Sequence, residues 1–241
     1  LFASAHGQTR ALTGSARWRI LALATAASVA YAAVSILRHW HFGSGGWDLG
    51  IEDQALWQMS RLQAPFSSFQ DIAFFADHFN PILLALVPLY WIAPHPEALL
   101  VAQAAALAFA VVPIFIYARE RLTDNLGWVI AVAYLLFWGV QRTVLFEFHE
   151  LAFAAPIVAL AILGLERQRW TLLAVSLALL LFVKEDQTLV LVGFGGLLAL
   201  RGYRKAGLVT AAVGLAALAA ILLWWFPMMS GGGPWEDAPR Y

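Results

Sequence analysis

The chain contains no cysteine and few charged residues. Of its 241 residues, 12% are Asp, Glu, Lys or Arg, against about 25% in an ordinary soluble domain. Without cysteine there are no disulfides, no thiolate catalysis and no cysteine-ligated metals. The formal net charge is zero, so no bulk positive charge attracts nucleic acid. The Walker, nucleophile-elbow and dinucleotide-binding patterns are also missing.

Long apolar runs dominate what is present. Hydrophobic residues make up 61% of the chain, and runs of near-spanning length are typical of polytopic helical membrane proteins. The alternation of an outer-membrane barrel is not seen. The apolar stretches fall at about 18–38, 79–93, 97–118, 126–141, 151–165, 170–183, 187–200 and 206–226.

Basic residues predict the orientation of these stretches. Ten of the 15 basic residues flank apolar runs on what the positive-inside rule makes the cytoplasmic side. They are Arg10, Arg17, Arg19, Arg119, Arg121, Arg167, Arg169, Arg201, Arg204 and Lys205. The arginines near residues 17 and 119 share a side only if 79–93 does not cross. We therefore expect an all-α polytopic membrane protein of about seven transmembrane helices, in which 79–93 is a re-entrant or interfacial helical hairpin.

This topology divides the chain into three parts. Residues 1–17 are expected to be a cytoplasmic tail, and 18–226 a multi-span membrane domain. Within that domain, 41–96 is a long external loop with a juxtamembrane helix. Residues 227–241 would begin a further external loop. The chain starts at Leu1 and stops soon after a polar loop begins, which predicts a piece of a longer protein.

Acidic residues cluster in the first external loop, directly after several glycines. A helix is expected from Asp48 to about Arg61, with Asp48 and Glu52 on one face as an i, i+4 pair and Asp53 pointing elsewhere. Asp48 is interpretable as a general base or metal ligand at the mouth of a membrane cavity. It is equally interpretable as the N-cap of that helix. Trp57 either stacks on a sugar or anchors the helix in the interface.

Three further groups of polar residues border apolar runs on the same side. His78 is interpretable as a phosphate or metal ligand, or as an ordinary interfacial histidine. The Glu147–Glu150 segment combines carboxylates with His149, which suits zinc or manganese but also an ordinary solvated loop. Lys184, followed by Glu185 and Asp186, predicts either a buried ion pair or contacts with an anionic head group and a polar substrate.

Taken in order, these motifs resemble a prokaryotic membrane-protein family, domain of unknown function 2079. The resembling segments are 47–57, 78–81, 88–90, Gln103, 146–150 and 184–186. The resemblance runs from about residue 47 to 200, and the family pattern has an aspartate where Glu147 stands. That family looks like a distant branch of the GT-C membrane glycosyltransferases, which take a sugar from a polyprenyl-phosphate donor at the outer face of the membrane.

The resemblance implies a GT-C-like fold and sugar transfer from a membrane lipid donor, with Asp48 as the catalytic acid of the first external loop. The residues expected to bind substrate are Glu52, Asp53, Gln54, Trp57, His78, Arg142, Glu150, Lys184, Glu185 and Asp186. A divalent metal held by His149 and Glu150 is a further expectation. The implied location is the prokaryotic cytoplasmic membrane, with the amino terminus inside and the active side outside. A proton- or cation-coupled transporter and a non-catalytic membrane scaffold are the alternatives.

Overall fold

The computed structural model describes residues 14–230. The expectations for Arg10, for most of the amino-terminal tail and for the external segment after residue 230 fall outside this range. Within it the chain is almost entirely helical. The α-helices are α1 (Gly14–Trp40), α2 (Ile51–Ser60), α3 (Phe74–Asp77), α4 (Val87–Ile92), α5 (Pro96–Phe109), α6 (Val111–Arg121), α7 (Asp124–Leu135), α8 (Trp138–Val144), α9 (Ala154–Glu166), α10 (Trp170–Leu180), α11 (Thr188–Leu200), α12 (Arg204–Ala220) and α13 (Phe226–Met229).

Short 3₁₀-helical and π-helical turns connect several of these helices. The 3₁₀ turns are Pro81–Leu86, Glu150–Phe153 and Glu185–Gln187, and the π-helical turns are Gly46–Gly50 and Ile221–Trp225. A two-stranded antiparallel sheet that the sequence did not predict pairs β1 (Phe66–Ser67) with β2 (Ile72–Ala73).

Three helices in the described range are long and apolar enough to cross a membrane. They are Gly14–Trp40, Pro96–Arg121 and Arg204–Met229. The pair α7 and α8, bent by 42°, makes a fourth if it is taken as one span. The helical membrane class is therefore confirmed. The number seven is not, because α9, α10 and α11 have only 13, 11 and 13 residues, fewer than the roughly 20 that span 30 Å of hydrocarbon.

Three basic turns meet at one end of the molecule, which we call the basic end (residues 119–124, 166–169 and 200–204). Glu166 pairs with both Arg121 and Arg201. Arg167 lies 2.5 Å from Glu120 across the same surface. These ion pairs join the ends of α6, α9 and α11, so Arg121, Arg167 and Arg201, three of the arginines that predicted one common side, do lie together.

The other ends of the same helices meet at what we call the acidic end (residues 41–96, 145–153 and 181–187). Here Trp40 donates from Nε1 to Glu97 at 2.9 Å, so α1 ends where α5 begins. Trp225, after α12, donates to the backbone oxygen of Phe75 at 3.0 Å. The helical runs thus alternate between the two ends, and the segment 41–96 starts and finishes at the acidic one.

Within the segment 79–93, Pro81–Ile92 forms one continuous helical run, whereas the sequence predicted a hairpin. Pro81 opens the 3₁₀ turn, because proline needs no amide partner in a first turn, and α4 continues it without a reversal. The run packs on α2, and Trp91 donates from Nε1 to the backbone oxygen of Ser60 at 3.0 Å. The sequence predicted the limits of this segment well, but it predicted the two arms of a hairpin where the structure has one continuous helical run.

An apolar core beneath the acidic end fixes α2 in position. Leu56, Leu83 and Leu99 are completely buried and belong to one cluster, together with Phe148. They come from α2, the 3₁₀ turn, α5 and the segment before α9. Burying each such side chain stabilises the fold by about 1.5–3 kcal/mol. This apolar cluster therefore fixes the position of α2, and with it the position of the polar residues on that helix.

Candidate functional site

A polar pocket of about 330 Å³ opens at the acidic end. Its lining comes from the first turns of the α2 region and from the stretch around α3. The lining residues are Trp47, Asp48, Ile51, Glu52, Phe74, Asp77, His78 and Asn80. Asp48 and Glu52 share one helical face, as the sequence predicted, and that face looks into the pocket.

Asp48 is not a helix cap. The π-helical turn begins at Gly46 and its N-cap position is Gly45, two to three residues before the aspartate. The carboxylate that serves this helix start is Glu147, which accepts hydrogen bonds from the backbone amides of Gly45 and, at 3.2 Å, Leu49. Asp48 is therefore left half-buried in the pocket wall. Among residues 14–230 its carboxylate has no hydrogen-bond partner.

Glycine is required at the point where this carboxylate approaches the chain. A Cβ atom at Gly45 would lie 3.1 Å from Oε1 of Glu147. A Cβ atom at Gly46 would lie 2.7 Å from the ring of Phe69, closer than real Cβ contacts. The glycines before Asp48 thus let two other segments pack tightly against the turn that carries it.

Gln103 holds the segment that carries Glu147. Its side chain is 1% exposed. Its Nε2 donates to the backbone oxygen of Glu147 at 2.9 Å, and its Oε1 accepts from the backbone amide of His149 at 2.7 Å. Because both ends of this amide are used, α5 fixes the geometry of residues 147–149, and through them the position of Asp48.

A buried ion pair lies behind the pocket. Nζ of Lys184 is 2.9 Å from Oε1 of Glu150, and the two side chains are 17% and 3% exposed. Burial is the largest effect on the pKa of Lys184 and acts to lower it, but the charge and hydrogen bond of Glu150, with the charges of Glu185 and Asp186, together raise that pKa. Lys184 is therefore charged, and the pair joins the start of α9 to the start of α11.

Glu185 ties α11 to the residues before the 3₁₀ turn at Pro81. It accepts from Nδ1 of His78 at 3.1 Å and from the backbone amide of Phe79 at 3.0 Å. Burial is the largest effect on the pKa of His78 and acts to lower it, but the hydrogen bond to Glu185 and the charges of Asp77 and Glu185 together raise that pKa. Burial is also the largest effect on the pKa of Glu185 and acts to raise it, but the hydrogen bond and charge of His78 and backbone hydrogen bonds together lower that pKa. The pocket thus contains an imidazole biased toward its cationic form.

Glu52 and Asn80 form the least satisfied part of the pocket. Nδ2 of Asn80 lies 3.4 Å from Oε1 of Glu52, a long hydrogen bond. Oε2 of Glu52 and Oδ1 of Asn80 are buried, and neither has a partner in the described part of the chain. Burial, followed by the negative charge of Glu150, raises the pKa of Glu52 well above its ordinary value.

Asp48 shares its electrostatic surroundings with the ion pair behind the pocket. Burial raises the pKa of its carboxyl, the charge of His149 opposes this, and Glu147 and Glu150 add to it. Lys184 contributes a further opposing effect. Polar groups from sequence positions far apart therefore meet at one end of the helices.

A family model described as "Predicted membrane protein (DUF2079)" matches residues 38–236. The chain belongs to this family. The matched range contains the whole pocket lining, the Lys184–Glu150 pair and the Glu147 anchor. No curated protein and no solved structure matches the chain.

Several residues expected to bind substrate in this DUF2079 protein lie away from the pocket lining. Asp53 accepts from the hydroxyl of Tyr90 at 2.7 Å, on the other side of α2. Gln54 accepts from Ser68 at 3.1 Å and holds the turn between β1 and β2. These two side chains bind other parts of the protein, because a helix can direct only one face toward the pocket.

Three further predicted residues outside the lining, Trp57, Arg142 and Asp186, are exposed. The guanidinium of Arg61 lies 4.3 Å from the centre of the Trp57 ring, as in an interfacial anchor. Arg142 is exposed on α8, and Asp186 is exposed beside Gln187, from which it accepts at 3.0 Å. These side chains are close in sequence to residues of the pocket or to buried charged residues, but that proximity does not bring them into the pocket.

The predicted metal pair is engaged in other contacts. The ring of His149 stacks on Phe146, with the two planes 6° apart and their centres 5.1 Å apart. Glu150 binds Lys184 instead. Across residues 14–230 no group of three histidine, aspartate or glutamate side chains is arranged to hold a metal ion. The geometry lends the expected divalent metal at this place no support.

Sequence reasoning missed the polar residues that complete or support the pocket. Asn80 precedes Pro81, and because an Asn-Pro pair is typical of a turn or helix start, no separate feature of the sequence indicates that Asn80 lines a pocket. Asp77 lines the pocket and accepts from Nε2 of Gln70 at 2.8 Å. Gln103 stands alone in an apolar helix, and that isolation inside a hydrophobic run was the available signal.

Proposed function

We propose that this DUF2079 chain is part of a membrane glycosyltransferase that moves a sugar from a polyprenyl-phosphate donor to an extracytoplasmic acceptor. The observation that carries the proposal is Asp48: a half-buried carboxylate that has no hydrogen-bond partner among residues 14–230, in a polar pocket of about 330 Å³ at the end of apolar helices. A general base for a lipid-borne substrate needs these surroundings, since it must meet the substrate at the membrane surface.

In the proposed reaction, Asp48 takes the proton of the acceptor hydroxyl as that oxygen attacks the anomeric carbon. The bond from the anomeric carbon to the phosphate oxygen breaks, and the polyprenyl phosphate leaves with the bonding electrons. Burial raises the pKa of Asp48, which brings a carboxylate closer to the ideal basicity for this task.

The cations near the pocket suit the departing phosphate. His78 lines the pocket, and its pKa is raised by the hydrogen bond to Glu185 despite burial. Lys184 is held close behind it by Glu150. A positive charge aimed at a developing phosphate charge lowers the barrier most where water is scarce. Trp47 offers its ring as a stacking surface for the sugar.

The alternating helical runs support the membrane arrangement in this proposal. Seven runs (α1, α5–α6, α7–α8, α9, α10, α11 and α12) connect the basic and acidic ends. If each crosses, the short ones requiring a locally thin bilayer, the positive-inside rule puts the basic end in the cytoplasm. The pocket then faces outward, on the side where lipid-linked sugars are used.

The test compares two aspartate variants of the purified full-length protein in liposomes that contain polyprenyl-phosphate sugars. Asp48→Asn removes the base and should reduce sugar transfer about 10²–10⁴-fold. Asp71→Asn is the matched control, because Asp71 is exposed, lies outside the pocket and has a left-handed backbone (φ 57°) that asparagine accepts. Equal transfer by both variants would remove Asp48 from the mechanism.

A proton-coupled transporter is the second candidate, and Glu52 is the observation that favours it. Its buried carboxyl has a pKa raised by burial and by Glu150, as proton carriers require. However, transporters place such groups near the bilayer midplane, whereas Glu52 lies at the helix ends. Proton flux into liposomes that depends on Glu52, without any sugar transfer, would reverse the order of the two candidates.

A further inference from the structure

Two buried oxygen atoms in the pocket wall lack a donor. Glu52 is 8% exposed and Asn80 is fully buried. Oε2 of the first and Oδ1 of the second have no hydrogen-bond partner in the part of the chain that the structure describes. Leaving a buried acceptor unsatisfied is costly, and native proteins rarely do so without a functional reason. The pocket is therefore built to receive a group that donates hydrogen bonds.

The charges around these two oxygens indicate what kind of donor it is. Asp48, Glu52 and Asp77 line the pocket, and His78 is the one basic residue in the lining. Glu150 and Lys184 face Glu52 from behind, but they neutralise each other at 2.9 Å. An anionic group placed against these two oxygens would meet repulsion, whereas a positively charged donor would relieve it. The departing phosphate is assigned instead to the side of the pocket that His78 lines.

An ammonium group fits both requirements. It carries three N–H donors and one positive charge, enough to reach Oε2 of Glu52, Oδ1 of Asn80 and one neighbouring carboxylate. A metal ion would need a set of ligands that residues 14–230 do not provide. A neutral sugar hydroxyl would satisfy one oxygen but leave the negative charge unbalanced.

We infer that Glu52 and Asn80 bind an ammonium group of the ligand, carried either by an amino sugar or by an amine-bearing lipid head group. The inference rests on the proposed function, because it takes the pocket as the substrate site and names the substrate class. Before the ligand binds, Glu52 carries a proton, which removes its buried negative charge. The raised pKa of Glu52 agrees with such a proton. The ammonium group displaces that proton as it binds.

Three probes of the same size class separate the ammonium from its neutral counterparts. Glucosamine, glucose and N-acetylglucosamine are titrated calorimetrically into the full-length protein in phosphatidylcholine nanodiscs. We expect glucosamine to bind at least tenfold more tightly than either neutral probe, with release of a proton that shows up as buffer-dependent heat. Equal affinities, or no measurable glucosamine binding, would overturn the inference.

A second set of nanodiscs distinguishes the two sources of the amine. Discs containing phosphatidylethanolamine present the same ammonium on a lipid. If the head group is the natural occupant, it competes and weakens glucosamine binding; if an amino sugar is, glucosamine binds equally in both discs. Either result supports the ammonium site and assigns its source.

Glu52→Gln tests the residue itself. The amide has the shape of the carboxyl and supplies a donor toward Asn80, so the melting temperature should not fall while the preference for glucosamine disappears. Asp71→Asn should keep that preference. A Glu52→Gln protein that folds and still prefers glucosamine would overturn the inference. Asp48-dependent transfer from a neutral sugar donor, without any preference for amines, would also overturn it but leave the proposed function intact.

Discussion

The two ends of the molecule use charge in opposite ways. At the basic end, Glu166 receives Arg121 and Arg201, and Glu120 receives Arg167, so each of these acids has a cation in contact. In the pocket at the acidic end, carboxylates outnumber cations, and Oε2 of Glu52 and Oδ1 of Asn80 are buried without a donor among residues 14–230. The first arrangement joins helices. The second leaves buried hydrogen-bond acceptors available, as expected where a ligand binds.

The largest effect is expected for the buried Lys184–Glu150 ion pair, where the acidic end resembles the basic end. Lys184→Met leaves the carboxylate of Glu150, 3% exposed, without its cation. We expect a loss of stability of about 3–5 kcal/mol, since the uncompensated charge stays buried. Thermal unfolding in detergent measures it. The double variant Lys184→Met with Glu150→Gln should recover most of the loss; no recovery would show that Lys184 acts independently of Glu150.

A smaller effect is expected at the anchor of the turn that carries Asp48. Glu147→Gln keeps one acceptor but turns an amide group toward the backbone amides of Gly45 and Leu49. The loss of one charge-assisted hydrogen bond should cost about 1–3 kcal/mol. Thermal unfolding and sugar transfer should both decline. If stability falls and transfer is unchanged, Glu147 does not position Asp48.

The pH dependence of stability sharpens the comparison further. Burial raises the pKa of Glu52 above the ordinary 4.5, so the folded protein holds this proton at a pH where the unfolded chain has lost it. Stability attributable to Glu52 should therefore decrease as pH rises from about 4.5 through the raised pKa. Glu52→Gln, measured by unfolding across the same range, should flatten the profile. An unchanged profile would assign the decrease to another group.

The smallest effect is expected at the basic end. Arg201→Gln removes a side chain that is 38% exposed, and Glu166 keeps Arg121 as a partner. An exposed pair with a remaining cation contributes about 0–1 kcal/mol, so the melting temperature should hardly change. A loss as large as that of Lys184→Met would contradict the contrast between the two ends.

The sequence predicted the helical runs and their common polar ends well, because apolar length and arginine position are local properties. It brought Asp48, Glu52 and His78 to one side for the same reason. It did not predict which neighbours use each side chain. Asp53 accepts a hydrogen bond from Tyr90, and Gln54 accepts one from Ser68. The sequence did not predict these pairs, because contacts between residues far apart in the chain determine how a helix is rotated and how a loop packs. The donor-free oxygens of Glu52 and Asn80 are likewise a property of tertiary structure alone.

The hydrogen bonds from Gly45 and Leu49 to Glu147 span about a hundred positions of sequence. A ribosome that has delivered every residue of the pocket lining has still not delivered the carboxylate on which the Asp48 turn rests. The reactive arrangement therefore forms only after residue 147 has been made and α8 has entered its place, and a nascent chain that ends before this point carries no working pocket.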